Sequence, residues 1–588
     1  MRRRDSLARI ATAVLGSDGE ERSQGGAIQE VKVSPFANRS TPVVTRTTAG
    51  LEPYTGEWTA TEMYHLLRRT TFGPSKAHMD AIKLIATPSD AVDLLLTAQP
   101  DEPTQPLATT ANDLVPSGTT WVNSVYSTTV NSVTVNPTGY RMTSLKAWWF
   151  GLILNQSLSI REKLTLFWTD HFVTQISTVN DPRYSYRYNA LLRHNVLGNF
   201  KDMANAITQD GAMLIYLNGT NNVKTGPDEN YGRELQELFT IGKGPLIAPG
   251  NYTNYTEADV QAAAHVLTGW RKYQNLDGTL GAQTGYLDPT RHDTTNKVFS
   301  ADYNNTIIVG GTDGQAELTA MLTMIFSQTD PDGVNKVARF ISRKFYRWFV
   351  YYLIDANAEA NVITPMANLI SSNNFNVVPA LSALLKSAHF FDPVNMGCYI
   401  KSPIDFIAGL IRQFNVPITS ANVTNQYATW YALEYLGATM DQDIGEQPNV
   451  AGWQAYYQNP EYNELWINSD TVTKRRNFSD AIIGSGYNTS GGKLQIDPIA
   501  FVKTLSDPTD PNVIVNESAQ FLFAVTPTAA QIAFLKDTLL PGLPDYEWTT
   551  EWATYLADPT NAAKLSAVKN KLVALYALMM EMPEYQLS

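Results

Sequence analysis

Two carboxylates and one carboxamide share a helical spacing in the segment 226–242, and they are the residues best suited to chemistry. Pro227 suits the start of a helix there, and Gly242 suits the left-handed position that ends it. Asn230, Glu234 and Glu237 stand at positions i, i+4 and i+7, so they lie on one face if the segment is helical. If that face is buried, the two carboxylates form an acid/base pair or ligate a divalent metal. The alternative is a structural row that pairs with Arg233 or with arginines of neighbouring helices. The sequence leaves both interpretations open.

His171 is the second candidate. Leu164, Phe167 and Trp168 precede it at helical spacing, which predicts that His171 lies on an apolar face and is buried. A buried imidazole needs partners for its nitrogens, and these are a carboxylate, a backbone carbonyl or a metal. A hydrogen-bonded core histidine and a catalytic or metal-binding histidine are therefore the two alternatives.

The third candidate is a pair of adjacent residues in a loop, His292 and Asp293, which can both face one pocket. If they converge with the first two candidates, the mixed imidazole and carboxylate donors suit Zn, Mn or Fe. The predicted catalytic residues are Glu234, Glu237 and His171, and the predicted metal ligands are His171, Glu234, Glu237, His292 and Asp293.

Two arginine-rich segments are expected to be structural. The segment 183–193 alternates arginine with tyrosine, which is typical of an internal network of ion pairs and stacked rings. A second cationic cluster has helical spacing and is predicted to meet the carboxylate row of 229–237. Its members are Arg339, Arg343, Lys344 and Arg347.

The composition argues against several classes of function. The chain has 44 Lys and Arg against 56 Asp and Glu, a net charge of −12, and no nucleic-acid partner is expected because phosphate binding requires clustered cations. The one cysteine, Cys398, rules out an internal disulfide framework and cysteine-based metal sites. No zincin, P-loop, nucleophile-elbow or dinucleotide motif occurs. No apolar run is long enough to span a bilayer as a helix, so a soluble protein without a transmembrane segment is expected.

Helical patterns dominate the elements that must position these residues. We predict a mainly α fold: one large multi-helix body with irregular loop insertions and a few short strands. The helical domain spans 61–588, with an insertion at 101–138, loops at 271–315 and an aromatic, loop-rich stretch at 427–500. One helix is predicted over 75–98, more than one over about 314–352, and further helices over 357–372, 376–389 and 402–414, with a last helical region over 527–582.

The N-terminal residues 1–16 contain an arginine pair and a weak apolar stretch, like a twin-arginine export signal. Arg9 interrupts the apolar stretch, so the segment is interpreted as a weak or vestigial signal, and the alternative is a basic N-terminal helix that stays in the cytoplasm. A working signal predicts a periplasmic or extracellular protein, and a vestigial one predicts a cytoplasmic protein. Residues 17–60 are predicted to be a linker or an arm that follows the surface.

The order of several motifs from about residue 60 to the C-terminus resembles the bacterial family known as domain of unknown function 1800. The matching segments are His65–Pro74, Phe167–Phe172, Asn189–Arg193, Leu197–Phe200, Glu229–Gly242, Leu267–Trp270, His292–Asp293 with Lys297, Lys401–Pro403 with Arg412, Pro448–Trp453, Trp466–Ser469 and Met582–Gln586. The chain departs from the family pattern at Gln447, where a second proline is usual.

The resemblance implies no assigned activity. Family members often carry twin-arginine-like signals, and their genes tend to neighbour genes of a sulfatase-like family, which implies an envelope-associated or exported role with a partner protein. Two hypotheses follow. The favoured one is a scaffold or binding protein, with a polymer or glycan as a further ligand. The alternative is a hydrolase that acts on a polymer by metal-assisted or carboxylate acid/base chemistry.

Overall fold

The computed structural model describes residues 46–97, 102–130, 133–244, 246–248, 251–276, 284–418, 420, 422–453 and 462–588. The predicted signal at 1–16 and most of the predicted linker at 17–60 lie outside these residues. Across the described residues the fold is mainly α, with only short strands, which confirms the predicted fold class.

The helices of the first half bring the residues of the candidate site together. They are α1 (Ala60–Thr70), α2 (Lys76–Ile82), α3 (Pro88–Thr97), α4 (Thr138–Leu154), α5 (Arg161–His171), α6 (Ile176–Val179), α7 (Pro182–His194), α8 (Phe200–Thr208), α9 (Gly211–Tyr216), α10 (Asn230–Glu234), α11 (Glu257–Val266), α12 (Gly314–Phe326) and α13 (Lys336–Phe349). α10 continues into a π-helical turn at Leu235–Phe239.

The second half adds α14 (Ala356–Ala358), a π-helical turn at Glu359–Ile363, α15 (Thr364–Ser372), α16 (Val378–Leu385), α17 (Pro403–Gln413), α18 (Val423–Thr439), α19 (Ser469–Ile483), α20 (Pro498–Val502), α21 (Pro511–Leu522), α22 (Ala529–Leu539), α23 (Asp545–Ala557) and α24 (Ala562–Glu581). Short 3-10 turns lie at Gly219–Asn221, Ala301–Tyr303, Tyr462–Trp466 and Pro583–Gln586.

The described strands form two-stranded antiparallel pairs between neighbours in the chain. The pairs are β1 (Thr128–Val130) with β2 (Val133–Val135), β3 (Leu246–Ala248) with β4 (Asn251–Tyr252), β5 (Trp270–Lys272) with β6 (Gly285–Leu287), β7 (Lys297–Val298) with β8 (Ile307–Ile308), and β9 (Tyr487–Thr489) with β10 (Gly492–Leu494). The predicted insertion and the predicted loops at 271–315 therefore contain short hairpins.

The predicted helix at 75–98 is two helices, α2 and α3. Pro88 is the first residue of α3, where its missing N–H leaves no helical hydrogen bond unmade. In the middle of one long helix the same proline would remove a hydrogen bond and clash with the preceding turn. The sequence prediction overlooked this break.

The stretch 427–500 is less loop-rich than predicted, because most of α18 and all of α19 lie within it. α18 packs closely on α4. Gly151 of α4 permits this approach, since a Cβ there would lie 2.6 Å from the ring of Trp430. Tertiary packing thus overrides the modest helix propensity of a segment rich in Thr and Tyr.

One hydrophobic cluster of buried residues extends along the chain from Met63 to Leu587. α5 lies within it, and every residue of α5 is buried. Residues 46–59 follow the surface of the helical body as an arm, with Pro53 bridged to Ser387. No helix among the described residues has the length and apolar character needed to cross a membrane.

Candidate functional site

Three segments meet at a cavity of about 240 Å³, which we call the Asp170 cavity. They are the C-terminal end of α5, the π-helical turn after α10, and the middle of α13, with Ala451 on a further side. Two predicted site residues, His171 and Glu237, are brought together here. The lining residues are Phe167, Asp170, His171, Glu237, Leu238, Phe340, Lys344, Arg347, Trp348 and Ala451.

The charged side chains at the two ends of α5 differ in whether they form ion pairs. The three charged residues of its first turn each have an ion-pair partner: Arg161 with Glu102, Glu162 with Arg193, and Lys163 with Asp405. Asp170, near the other end, has no ion pair among the described residues, although it is only 7% exposed. An unpaired buried carboxylate is costly, so its presence beside a cavity points to a role other than packing.

The loop at 447–453 holds Asp170 in place. The backbone N–H of Trp453 donates to Asp170 Oδ1 over 2.9 Å. Gly452 has φ +98°, and a Cβ there would lie 2.5 Å from the same oxygen, so glycine is required for the approach. Gln447 donates to the carbonyl of Thr169 over 3.1 Å, a bond that a proline cannot make. Asp170 Oδ2 makes no hydrogen bond within the described part of the chain and remains available to the cavity.

His171 is buried, as predicted, and its partner is a backbone carbonyl. Nε2 lies 3.0 Å from the carbonyl oxygen of Phe239, so this nitrogen carries the hydrogen and donates it. Nδ1 is buried without a hydrogen-bond partner among the described residues. Burial, with a smaller contribution from Lys344, holds the pKa of His171 well below its ordinary value. The imidazole is therefore neutral and presents an unused acceptor.

The carboxylate row lies on a helix that changes type. α10 is α-helical for five residues and the next five form the π-helical turn, after which Gly242 adopts the left-handed conformation predicted for it, with φ +76°. Each π turn widens the helix locally and is frequently found at functional sites. The sequence predicted the helix and its end, whereas the π turn has no signature in residue spacing.

Glu237 faces the cavity and Glu234 lies beside it. Tyr255 donates to Glu237 Oε2 over 2.7 Å, and Lys243 Nζ lies 3.1 Å from Oε1. Glu234 is not among the residues that line the cavity. Burial, and then the nearby charge of Glu237, raise the pKa of Glu234 to about 7. The two carboxylates are therefore close enough to influence each other, as the row predicted.

The four residues of the cationic cluster on α13 lie in two different environments. Two members pair with other carboxylates: Arg339 with Asp330 and Asp332, and Arg343 with Glu359. Lys344 and Arg347 instead line the Asp170 cavity together with Glu237. Within the described residues Lys344 Nζ has neither a hydrogen bond nor an ion pair, and it lies 5.3 Å from the centre of the Phe340 ring. The predicted meeting with the carboxylate row thus holds for half of the cluster.

Asp170 and Lys344 titrate near neutrality. Burial raises the pKa of Asp170 to about 7, against the lowering effects of the Trp453 N–H and Lys344. Burial also lowers the pKa of Lys344 to about 8, against the raising effect of Asp170. Two groups with opposite shifts around one cavity are typical of acid/base sites.

The loop candidate His292 lies in a different place, which we call the His292 cluster: His292, Lys297 and Glu317. His292 is fully buried, with Nε2 3.2 Å from Glu317 Oε1 and Nδ1 2.8 Å from the carbonyl oxygen of Thr268. Lys297 Nζ lies 2.5 Å from Glu317 Oε2. Lys297 and Glu317 thus form a direct ion pair, and His292 Nε2 contacts the same carboxylate without a hydrogen bond.

Asp293 faces away from its neighbour His292. Its Oδ2 lies 2.5 Å from His265 Nδ1, and its Oδ1 accepts from the backbone N–H and the hydroxyl of Thr295. Burial raises the pKa of Asp293, but the bonds from Thr295 and His265 outweigh it and bring the pKa to about 2. Adjacent loop residues do not share a pocket here, since the backbone directs their side chains to different partners.

The five predicted metal ligands are thus found in two groups, His171 with Glu234 and Glu237, and His292 with Asp293. Among the residues that the structure describes, no group of three or more His, Cys, Asp and Glu side chains is arranged to hold a metal ion. The metal remains a prediction.

Two further arginines show different structural roles: Arg69 holds a helix end, and Arg183 forms an ion pair of the kind predicted for the segment 183–193. Arg69 donates to the carbonyls of Trp348 and Phe349, at the C-terminal end of α13. Arg183 pairs with Asp181 over 2.7 Å. Buried arginines bonded to carbonyl groups satisfy orphan acceptors at helix ends and fix the packing of those helices.

Sequence reasoning did not single out Asp170 or Glu317. Asp170 lies one residue before His171 in the motif Phe167–Phe172. The sequence feature that could have pointed to it is its charge, since the other residues of this helix have the pattern of a buried element. Glu317 lies in the first turn of α12, where an acidic residue is ordinary. Nothing in its local sequence distinguishes it.

The geometry defines a helical protein with a polar cavity between α5, α13 and a π-helical turn. The family described as protein of unknown function DUF1800 matches residues 65–587. The chain belongs to this family. No curated protein and no solved structure shows a significant match to the chain.

Proposed function

We propose that this protein is an acid/base enzyme that hydrolyses a polymer, with the Asp170 cavity as its active centre. The observation that carries the proposal is that Asp170 has no ion pair among the described residues, whereas Arg161, Glu162 and Lys163 at the start of the same helix are ion-paired. Lys344, also without an ion pair among the described residues, lines the same cavity. A network built only for packing would pair these two charges directly.

The side chains support a division of roles. At neutral pH a fraction of Asp170 is protonated, because its pKa is about 7, and Oδ2 can donate that proton to a leaving oxygen. Glu237, held by Tyr255, is positioned to take a proton from the attacking water. Lys344 and Arg347 stabilise negative charge that develops between them. In balance, water adds to the bond that is cleaved, its proton passes to Glu237, and the leaving oxygen receives the proton of Asp170.

The sequence assigned His171 and Glu234 to catalysis, and in this proposal they support Asp170 and Glu237. His171 fixes the end of the π-helical turn through Phe239, and its Nδ1 offers an acceptor for a substrate hydroxyl or a water. Glu234 keeps negative charge beside Glu237 when it ionises. The metal-assisted form of the proposal, with Zn, Mn or Fe held from His171 and Glu237, is tested by elemental analysis of protein purified without chelators.

The second candidate is the scaffold or binding protein that the sequence favoured. The observation behind it is the His292 cluster, whose charges are paired and enclosed like a packing network. In this view the protein is exported, is associated with the envelope, and acts with a sulfatase-like partner. Fractionation of cells that make the full chain, and co-purification of the partner, test these proposals.

The experiment is a hydrolysis screen on envelope polymers between pH 5 and 9, read out by mass spectrometry of released fragments. Asp170→Asn should reduce the rate by about 100-fold or more, because the proton donor is lost. The matched control is Asp210→Asn, since Asp210 is also buried and burial raises its pKa to about 6, but its carboxylate is bonded to Thr284 and caps α9. Equal rates for Asp170→Asn and the wild type would refute the proposal.

A further inference from the structure

A second, larger cleft adjoins the Asp170 cavity. Its volume is about 680 Å³, and it shares Phe340, Lys344 and Arg347 with the cavity. Its remaining described lining consists of Ile241, Gly242, Lys243, Gly244, Thr253, Asn254, Asp330, Pro331, Asp332, Lys336, Arg339 and Arg343. A ligand in this cleft would therefore reach the candidate active centre.

The cleft is cationic, although the whole chain carries a net charge of −12. Six of its lining residues are Lys or Arg and two are Asp. Five of the cations, from Lys336 to Arg347, lie along α13, and at a rise of about 1.5 Å per residue they extend over roughly 16 Å. A stripe of this length matches a ligand with several anionic groups in a row, and exceeds what one phosphate or sulfate requires.

Part of the charge is already neutralised inside the protein, and part is not. Arg339 pairs with Asp330 and Asp332, Arg343 pairs with Glu359, and Lys243 pairs with Glu237. Lys336 has only a long contact of 3.4 Å to the carbonyl oxygen of Thr253. Two cations of the stripe, Lys336 and Lys344, thus lack ion pairs among the described residues.

The cleft also offers hydrogen-bond acceptors between its cations. The carboxylates of Asp330 and Asp332 have lone pairs beyond those used by Arg339. Phe340 is the one aromatic residue in the described lining, whereas single-stranded nucleic acids are bound on several stacking rings. Acceptors for hydroxyl groups beside cations for acidic groups fit a saccharide chain better than a nucleic acid or an acidic peptide.

We propose that the cleft binds an acidic polysaccharide, whose carboxylate or sulfate groups pair with the stripe on α13 and whose chain leads into the Asp170 cavity. This inference rests on the proposed function, for which it names the substrate class. The binding step is independent of the chemical step and can be measured without it.

The test is binding of fluorescent oligosaccharides to the Asp170→Asn variant, in which the chemistry is blocked. The probes are oligogalacturonate for carboxylate groups, dextran sulfate oligomers for sulfate groups, and neutral dextran, polyglutamate and single-stranded DNA for comparison. We expect binding of one or both acidic saccharides, weakening with added salt, and at least tenfold weaker binding of the three comparison probes. Selective binding of one saccharide identifies the acidic group.

Lys336→Glu should weaken saccharide binding by about three- to tenfold, the effect of reversing one exposed charge. Lys201→Glu is the matched control, because Lys201 also lies in the first turn of a helix with one neutral partner, Thr323, and lies outside the cleft. Arg343→Gln is a second variant within the cleft and should weaken binding in the same direction.

Three results would overturn the inference: no binding of either acidic saccharide, equal or tighter binding of DNA or polyglutamate, or the same affinity in the two cleft variants as in Lys201→Glu. None of these results bears on whether Asp170 performs acid/base chemistry. Conversely, saccharide binding that depends on the cleft, without cleavage by the wild type, would refute the proposed hydrolysis and leave the inference intact.

Discussion

The Asp170 cavity and the His292 cluster contain the same kinds of side chain in opposite states. Each has a buried histidine, a buried carboxylate and a lysine. In the His292 cluster, Glu317 contacts both the histidine and Lys297. In the Asp170 cavity the carboxylate and Lys344 influence each other's pKa without forming an ion pair, around an open volume. The difference separates a polar network that stabilises the fold from one that is kept available for a ligand.

The largest effect is expected from a substitution that breaks the His292 cluster. Glu317→Gln removes the negative charge beside Lys297, whose side chain is 1% exposed, and should lower the free energy of unfolding by about 3–5 kcal/mol. Denaturant titration measures the loss. The double variant Glu317→Gln/Lys297→Met removes both charges and should recover much of it. A loss below about 1 kcal/mol in the single variant would show that the cluster is not a stabilising network.

A smaller effect is expected where the loop supports Asp170. Gly452→Ala places a Cβ against the carboxylate at a left-handed backbone position, and should cost about 1–3 kcal/mol. Displacement of the Trp453 N–H also removes a bond that lowers the pKa of Asp170, so this pKa should rise further. Thermal unfolding and the pH profile of hydrolysis measure the two effects. Gly333→Ala, also at positive φ but with no atom near the added Cβ, is the control for backbone strain alone.

Most of the fold followed from the sequence because helical periodicity and breakers are local. Gly242 ended its helix as predicted, and the burial of His171 followed from three apolar neighbours. The failures have a common cause, which is contact with distant parts of the chain. α18 forms in a stretch predicted to be loop-rich because it packs on α4, and His292 and Asp293 diverge because their partners, Glu317 and His265, come from other helices.

The candidate site was found only in part for the same reason. The sequence pointed to His171 and Glu237, because each lies in a segment with a clear pattern. It did not point to Asp170, because only the folded structure shows that this buried carboxylate has no ion pair among the described residues. The meeting of Lys344 with Glu237 was predicted, although its neighbours Arg339 and Arg343 pair with carboxylates that the spacing did not indicate.

The most direct test of the account is the free energy of unfolding of Asp170→Asn and the wild type between pH 4 and 9. Because the folded-state pKa of Asp170 is raised to about 7 from an ordinary value of 3.8, its contribution to stability is lost as pH rises from about 4 to about 7. The variant avoids this loss and keeps an acceptor for the Trp453 N–H.

We therefore predict that Asp170→Asn is more stable than the wild type by roughly 2–4 kcal/mol at pH 8, and that this gain shrinks toward zero as pH falls to about 4. Asp170 is ionised above about pH 7 and Lys344 keeps its charge below about pH 8. The two buried charges together therefore lower the stability of the wild type most between about pH 7 and pH 8. A variant that is less stable than the wild type at pH 8 would contradict the account, because Asp170 would then belong to a stabilising network like that of His292.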